Sequence, residues 1–322
     1  MANGKRLLFF DLLRIVSIAM IVFYHLALVL RWAPFYMAPT IFNIAYLNCG
    51  IIGAYLMVFV SGSVLEYAHT NLGGFRDITR FYAKRLVRIY PAFWMSMVIG
   101  LAFTSALLSR PAFTTIMEFS GFNTWTGHWG GLINSCGWFI GLIVALYFFF
   151  PFLSASIRKY PVLTLVLIAF VEIFLRYTLI THSVPGFDSR AARWLPFCNF
   201  LEFGLGIWIV QNGLYPKWTY DNRLIGFLAD ISFYVFLVHL VSGMKEALIP
   251  ASLPLYFVAV ALLAWLLMVG DQKVQGWLKK RVCWLYLRED DHHGADVVSV
   301  RAIQTPHANL CRGCQGELER IR

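Results

Sequence analysis

Apolar runs of about twenty residues recur along most of the chain and limit what it can fold into more than any other feature. A run of this length allows an α-helix to cross the hydrocarbon core of a bilayer. The windows lie at residues 8–30, 44–66, 91–109, 136–153, 161–181, 194–211, 224–242 and 252–270. They predict an all-α fold, a polytopic transmembrane helix bundle of about eight spans.

The composition excludes a soluble fold. Of the 322 residues, 59% are hydrophobic and only 14% are charged, so the chain has more apolar surface than a soluble fold of this length can bury. The formal net charge of +10 is compatible with nucleic-acid binding, but the basic residues lie between apolar runs rather than in a soluble domain. We therefore expect a multi-pass protein of the plasma membrane, with membrane lipids and no nucleic acid among its partners.

The distribution of basic residues predicts the orientation of the bundle. Eight spans place both termini on one side, which would carry Lys5, Arg6, the basic residues of 76–88, Arg158, Lys159, Lys217, Arg223 and the basic residues of 273–281. The opposite side would carry fewer, namely Arg31, Arg110, Arg190, Arg193 and Lys245. Because cytoplasmic loops are enriched in Lys and Arg, we expect both termini to be cytoplasmic.

The first predicted span contains three polar side chains, Asp11, Arg14 and His25. Arg14 and His25 are eleven residues apart, which places them on one helix face about 16 Å apart along the axis. A charge inside a span costs about 3 kcal/mol or more unless it is paired or hydrated, so Arg14 is a functional candidate with Asp11 as its nearest partner. The alternative is that Asp11 and Arg14 form a structural pair and His25 is a satisfied core histidine.

Several motifs occur in an order that resembles a known family. Asp11 and Arg14 form a D-x-x-R motif, and Arg14 and His25 form an R-x10-H motif. They are followed by FVSG at 59–62, RLVRIYP at 85–91, WFIG at 138–141 with Tyr147 and Pro151, and SFYVFLVH at 232–239. From the N-terminus to about residue 240, the chain resembles the acyltransferase 3 family of multi-span membrane enzymes that O-acylate surface sugars and related acceptors.

This resemblance implies a reaction and roles for residues. The donor would be acetyl-CoA or another acyl-CoA, used as a substrate with no permanently bound cofactor, and the acceptor a hydroxyl of a surface glycan or lipid-linked sugar. His25 would remove the proton of that hydroxyl, and Arg14 would anchor the donor or stabilise developing negative charge. Family members commonly have about ten spans, so a chain with about eight windows is short near its end.

A basic segment precedes the third span. Its residues Arg76, Arg80, Lys84 and Arg88 repeat every four positions and form one helical stripe. We expect residues 75–90 to form a separate helix along the cytoplasmic interface, followed by a span that begins at Pro91. Lipid headgroups are one set of ligands for this stripe. Because Arg85 and Arg88 fall in the family-like motif, they are candidates for binding the phosphates of the donor.

Four further residues are candidates for substrate binding: Ser61 and Glu202, and, from the resemblance, Trp138 and Tyr147. Ser61 lies among small residues that favour close helix packing, or it forms a polar wall of a tunnel. Glu202 has no sequence-local cation, so we expect it to be protonated, hydrated or paired across helices, with Arg14 as one available partner.

Three other features favour structural roles. Glu172 and Arg176 have the spacing of an ion pair within one helix. A lone histidine near the outer end of a span, such as His239, is more often interfacial than catalytic. The external loop at 110–135 is rich in aromatic residues, which stack on sugar rings but more commonly form an interfacial belt.

The end of the chain is polar. We divide the chain into a membrane acyltransferase domain at 1–270 and a poorly ordered cytoplasmic tail at 271–322. The tail contains a single Cys311-x-x-Cys314 motif with scattered histidines, which is weak support for zinc, so we expect no metal site. Two other classes remain open: a transporter or flippase that uses the buried Arg, Glu and His as a substrate or proton path, and a non-catalytic membrane scaffold.

Overall fold

A computed structural model describes residues 6–30, 40–69, 72, 74–103, 112–126, 133–182, 184, 187, 191–241 and 253–281. This part of the chain contains ten α-helices: α1 Leu8–Leu30, α2 Thr40–Ala68, α3 Phe75–Phe103, α4 Ala112–Ser120, α5 Gly137–Lys159, α6 Pro161–Thr181, α7 Ala191–Trp194, α8 Phe200–Gln211, α9 Arg223–Val238 and α10 Leu253–Arg281. Two short 3-10 helices and a two-stranded sheet complete it. The predicted all-α bundle is confirmed.

Six of these helices are long and apolar enough to cross a membrane. The qualifying segments are Leu8–His25, Asn48–Ala68, Phe75–Phe103, Gly137–Lys159, Pro161–Thr181 and Pro254–Lys279. Large apolar side chains are exposed along them, most of all on α6, where a soluble protein would have polar ones. The chain is therefore a multi-pass membrane protein. Helices α8 and α9 have only 12 and 16 residues, so the count of eight spans stays a prediction, as does the side on which the termini lie.

The window predicted at 194–211 is not one continuous helix. Helix α7 ends at Trp194, a 3-10 turn covers Pro196–Cys198, and α8 begins at Phe200. Pro196 has no backbone N–H to continue the preceding helix, which explains the break. The side chain of Asn199 donates hydrogen bonds to the carbonyl oxygens of Arg193 and Leu195 at 3.1 and 2.8 Å, so carbonyl groups left open by the break are satisfied.

The separate interfacial helix predicted at 75–90 is wrong. Helix α3 runs without interruption from Phe75 to Phe103 and contains Pro91 in its interior. A proline inside a helix leaves the carbonyl group four residues earlier, here that of Val87, without its usual donor. The side-chain amide of Gln275 on α10 donates to this carbonyl oxygen at 2.6 Å. A partner from another helix therefore lets α3 continue through the proline.

Helix α10 extends beyond the predicted end of the membrane domain. The boundary drawn between residues 270 and 271 falls inside this helix, which continues to Arg281. Asp271 and Gln275 are polar but buried, because α10 packs against α3 and α9 at this point. Residues 282–322 of the predicted tail, including Cys311 and Cys314, lie outside the described residues, so the division into domain and tail stays a prediction.

Helix α2 lies between α1 and α8 and approaches α8 very closely. A Cβ atom added to Gly62 would lie 2.2 Å from the carbonyl oxygen of Phe203, and one added to Gly206 would lie 2.2 Å from that of Phe59. Only glycine allows backbones to come this near. The FVSG motif at 59–62 is therefore a packing point between two helices.

The N-terminus of the described chain is tied to the connection between α8 and α9. Strand β1, Arg6–Leu7, pairs antiparallel with β2, Thr219–Tyr220. From there α1 and α9 run side by side in the same direction, since Arg6, just before α1, contacts Asp230 in the middle of α9, and His25 lies against His239 further along both. We call the end of the bundle at β1 the N-terminal end and the opposite end the distal end.

Candidate functional site

Charged side chains form a network around the first turns of α1. Arg6 donates two hydrogen bonds of 2.9 Å to the carboxylate of Asp230 on α9, and two of 2.9 and 3.3 Å to that of Asp11. Asp11 is buried and also accepts hydrogen bonds from the hydroxyl of Tyr220 at 2.8 Å and from Arg14 at 3.3 Å. We call these five residues the Arg14 cluster. The predicted pair of Asp11 and Arg14 is present within it.

The charges of the Arg14 cluster balance, with two guanidinium groups facing two carboxylates. Burial acts to lower the pKa of Arg6, but its hydrogen bonds to Asp230 and Asp11 outweigh this effect and raise the pKa. Burial, together with the hydrogen bond to Asp11, raises the pKa of Tyr220, so its phenol stays a donor. The Arg14 side chain keeps 33% of its surface exposed, close to the 34% of Arg6.

A pair of histidines lies further along α1, and we call His25 and His239 the histidine pair. Their ring centroids are 5.4 Å apart. His239 follows the last residue of α9 and is completely buried, so the expectation of an interfacial histidine is wrong. The position loses its access to the interface because α1, α5 and α10 enclose the end of α9: His25, Cys136 and Tyr256 all contact His239.

Arg14 and His25 both lie toward α9, as their spacing predicted. Arg14 interacts electrostatically with Asp230 in the middle of α9, and His25 contacts His239 at its end. Tyr147 on α5 is also within electrostatic range of Arg14. The interior face of α1 therefore carries a cation toward the N-terminal end of the bundle and an imidazole toward the distal end.

The two arginines predicted to bind phosphate lie on α3. One terminal nitrogen of Arg85 is 2.7 Å from Nε2 of His69, just beyond α2. Arg88 lies 3.7 Å from the carboxylate of Asp271 on α10 and keeps half of its side chain exposed. These described contacts are with α2 and α10 rather than with α1. Arg85 nevertheless lies at the N-terminal end of the bundle, where α2 ends, whereas Arg88 also interacts with Tyr234 in the second half of α9.

Glu202 pairs with Arg176 on α6 at 3.1 Å, and not with Arg14. Arg176 also forms the ion pair predicted with Glu172, at 2.7 Å, and donates a hydrogen bond to the hydroxyl of Tyr55. Arg176 lies nearer in space because α6 packs directly against α8. The contacts of Glu202 support a structural role.

The remaining predicted residues divide between α2 and α5. The hydroxyl of Ser61 donates to the carbonyl oxygen of Met57 in its own helix at 2.8 Å, which supports the packing role of this segment. Trp138 lies at the beginning of α5, two residues after Cys136, which contacts the histidine pair. Tyr147 lies farther along α5, toward Arg14.

Sequence reasoning missed three buried carboxylates, Glu118 between two apolar windows and Glu66 and Asp271 at the edges of such windows. Glu66 is 1% exposed and accepts hydrogen bonds from Ser154 at 2.6 Å and from Gln211 at 3.1 Å, as well as from Arg158. Asp271 is fully buried and accepts a hydrogen bond from Tyr234 at 2.7 Å. The signal was present, because an ionisable residue at the edge of an apolar window requires a partner. Among the described residues, no three His, Cys, Asp or Glu side chains are grouped to hold a metal ion.

A helical bundle of apolar segments with arginine and histidine on one interior face defines a polytopic membrane protein with a polar site between its helices. The model of the acyltransferase 3 family, described as an acyltransferase domain, matches residues 7–287. The chain therefore belongs to this family, and it is a membrane acyltransferase. No curated protein and no solved structure matches the chain.

Proposed function

We propose that the protein transfers an acyl group, most simply acetyl, from acyl-CoA to a hydroxyl group of a surface glycan or a lipid-linked sugar. In this proposal it lies in the plasma membrane with both termini in the cytoplasm, where acyl-CoA is available. The observation that carries the proposal is the interior face of α1, which has Arg14 toward the N-terminal end and His25 toward the distal end. One donor molecule that enters from the cytoplasm can contact both.

His25 acts as the general base in this reaction. Its neutral imidazole takes the proton of the acceptor hydroxyl as that oxygen attacks the thioester carbonyl carbon. The tetrahedral intermediate collapses with cleavage of the carbon–sulfur bond, and the protonated imidazole returns the proton to the departing sulfur of CoA. The products are the acyl ester and CoA with a free thiol, and His25 ends in its starting state.

Arg14 binds the donor or its developing negative charge. Within the described part of the chain, its hydrogen bond is a single contact of 3.3 Å with Asp11, so most of the N–H groups of its guanidinium can serve a ligand. The hydrogen bonds of Asp11 to Arg6 and Tyr220 hold the carboxylate that orients Arg14. A guanidinium held in this way binds a carbonyl oxygen or a phosphate through two parallel hydrogen bonds.

Arg85 and Arg88 bind the nucleotide phosphates of the donor. Arg88 is suited to this task because its 3.7 Å contact with Asp271 is long and half of its side chain is exposed. Trp138 and Tyr147 on α5 are the substrate contacts nearest to the histidine pair and to Arg14, respectively. Family membership and this arrangement support the proposal.

Turnover of labelled acetyl-CoA by the purified protein, with a crude fraction of lipid-linked and surface glycans, tests the proposal. We expect His25→Gln to lower the turnover number by about 10²-fold or more while acetyl-CoA still binds. Arg14→Lys keeps the charge but loses the two-point geometry, so it should weaken acetyl-CoA binding about tenfold, measured by equilibrium dialysis.

Exposed residues of the same types provide the controls. His182→Gln, at the end of α6, and Arg223→Lys, at the beginning of α9, should leave both turnover and binding unchanged. Wild-type turnover by well-folded His25→Gln would show that His25 is not the base. Absence of acyl transfer by the wild-type protein with any glycan fraction would contradict the proposed reaction.

A further inference from the structure

Three hydrogen bonds lie at the ring of His239 and at the backbone beside it. Its Nδ1 lies 2.7 Å from the carbonyl oxygen of Phe236, one turn earlier. The thiol of Cys136 donates to the same carbonyl oxygen at 2.9 Å. The hydroxyl of Tyr256 on α10 donates to the backbone carbonyl of His239 at 2.8 Å. The ring therefore contacts Phe236 and Cys136 through Nδ1, and Tyr256 holds the backbone of the same residue, before any substrate binds.

The contact with Phe236 assigns the tautomer of His239. A carbonyl oxygen accepts hydrogen bonds and cannot donate, so Nδ1 must carry the proton. Nε2 is then the atom of the neutral ring that carries the lone pair. A histidine whose Nδ1–H is bound to a backbone carbonyl in this way presents a defined acceptor at Nε2. The neighbouring imidazole is that of His25, with ring centroids 5.4 Å apart.

We propose that His239 is a positioning residue for His25, which rests on the proposed function of His25 as the general base. Nε2 of His239 accepts a hydrogen bond from the N–H of His25 through one water molecule. This bond fixes the tautomer and orientation of His25, so that its other nitrogen faces the acceptor hydroxyl. It also stabilises the imidazolium that forms when His25 takes the proton.

The protonation state of His239 does not change during the proposed reaction. The proton of the acceptor hydroxyl moves to His25 and then to the sulfur of CoA, while His239 keeps its own proton on Nδ1. Titratable groups that contact the pair include Tyr24, beside His25, and Cys136 and Tyr256, beside His239.

Two amide substitutions separate the nitrogens of His239. In His239→Asn the amide nitrogen lies near the position of Nδ1 and can still donate to Phe236, but no acceptor replaces Nε2. In His239→Gln the amide oxygen can reach the position of Nε2. We expect His239→Asn to lower the turnover number by about 10²-fold with little change in KM for acetyl-CoA, and His239→Gln to lower it less.

The pH dependence distinguishes positioning from packing. Without the acceptor at Nε2 the imidazolium of His25 is less stable, so its pKa falls and the acidic limb of the kcat/KM profile moves to lower pH in His239→Asn. The pH dependence of the reaction of His25 with diethyl pyrocarbonate, followed by peptide mass spectrometry, reports the protonation of His25 without turnover, because only neutral imidazole reacts. Its midpoint is the pH at which half of the maximal reaction rate is reached. We expect this midpoint to fall in His239→Asn and to stay near the wild-type value in His239→Gln.

The outcomes separate this inference from the proposed function. If His239→Asn folds and has wild-type turnover and a wild-type midpoint, the positioning role is wrong, and the proposed acyl transfer is not affected. If His239→Asn does not fold, the result for His239→Gln is used instead. The positioning role is also wrong if His239→Gln folds but is as slow as His25→Gln and has a lowered midpoint for the reaction of His25 with diethyl pyrocarbonate. Absence of turnover in the wild type, with the midpoint shift present in His239→Asn, overturns the reaction but retains the coupling of the two histidines.

Discussion

Glu66 shows how buried charges in this bundle depend on partners from other helices. Its carboxylate on α2 accepts hydrogen bonds from Ser154 and Arg158 on α5 and from Gln211 on α8. A buried carboxylate that loses its cation keeps the full cost of desolvation, whereas loss of both charges removes that cost. The stability of the contacts around Glu66 is therefore expected to depend on Glu66 and Arg158 as a pair rather than on either residue alone.

A substitution at Arg158 tests this expectation. Arg158→Met should lower the free energy of unfolding by about 1–3 kcal/mol, since the buried carboxyl group of Glu66 loses the partly exposed guanidinium that contacts it. Adding Glu66→Gln should recover part of the loss. Thermal unfolding in detergent measures both effects. The neighbouring Lys159→Met, whose side chain is exposed, is the control, and an equal loss in the two single variants would contradict the argument.

The candidate site was predictable at single positions where polar residues interrupt an apolar span. Asp11, Arg14 and His25 could be identified in this way because their spacing along one helix fixes their relation. The burial of His239 could not, since it depends on contacts with residues such as Cys136, which is 103 positions away. Periodicity along one helix contains no information about which other helix covers its end.

At the scale of elements, the continuity of α3 depends on α10. Pro91 deprives the carbonyl group of Val87 of its helical donor, and Gln275 replaces that donor with its side-chain amide. The sequence of 75–91 alone favours a helix end before the proline, which is why a separate interfacial helix was predicted. The compensating amide lies 188 positions later in the chain, so no local pattern could reveal it.

A double-mutant cycle tests the compensation. Gln275→Leu should lower the free energy of unfolding by about 1–3 kcal/mol, because it leaves a carbonyl group unsatisfied. In a Pro91→Ala background the alanine N–H can bond to Val87, so the same substitution should cost at least about 1 kcal/mol less. Unfolding in a denaturing detergent series measures the difference. Equal costs in the two backgrounds would show that Gln275 does not serve the proline site.

The orientation of the whole molecule is predicted by the distribution of its basic residues. We expect a cysteine placed at Trp125 to react with a membrane-impermeant thiol reagent on intact cells, and one at Asp77 to react only after permeabilisation. Both positions are exposed, and the six natural cysteines are replaced beforehand. The reverse pattern would invert the proposed topology and place the entry for acyl-CoA on the wrong side.

Much of the fold followed from apolar length, and the exceptions share a cause. The windows correctly located the helices around Ile18, Val58, Leu146 and Val166, because length and hydropathy are local properties. The break at Pro196 and the extension of α10 past Asp271 were missed. Both depend on whether polar groups find partners after assembly, which hydropathy alone does not report.

The parallel pairing of α1 with α9 also bears on how the chain is made. Arg6 and Asp230 are 224 positions apart, so a ribosome delivers the first span to the translocon long before its later partner is synthesised. During that interval Asp11 has Arg6 and Arg14 within a few residues, and the nascent span can neutralise its own carboxylate. Asp271 has the opposite history, since Arg88 and Tyr234 are already in place when α10 emerges. The order of synthesis thus protects each buried aspartate from entering lipid alone.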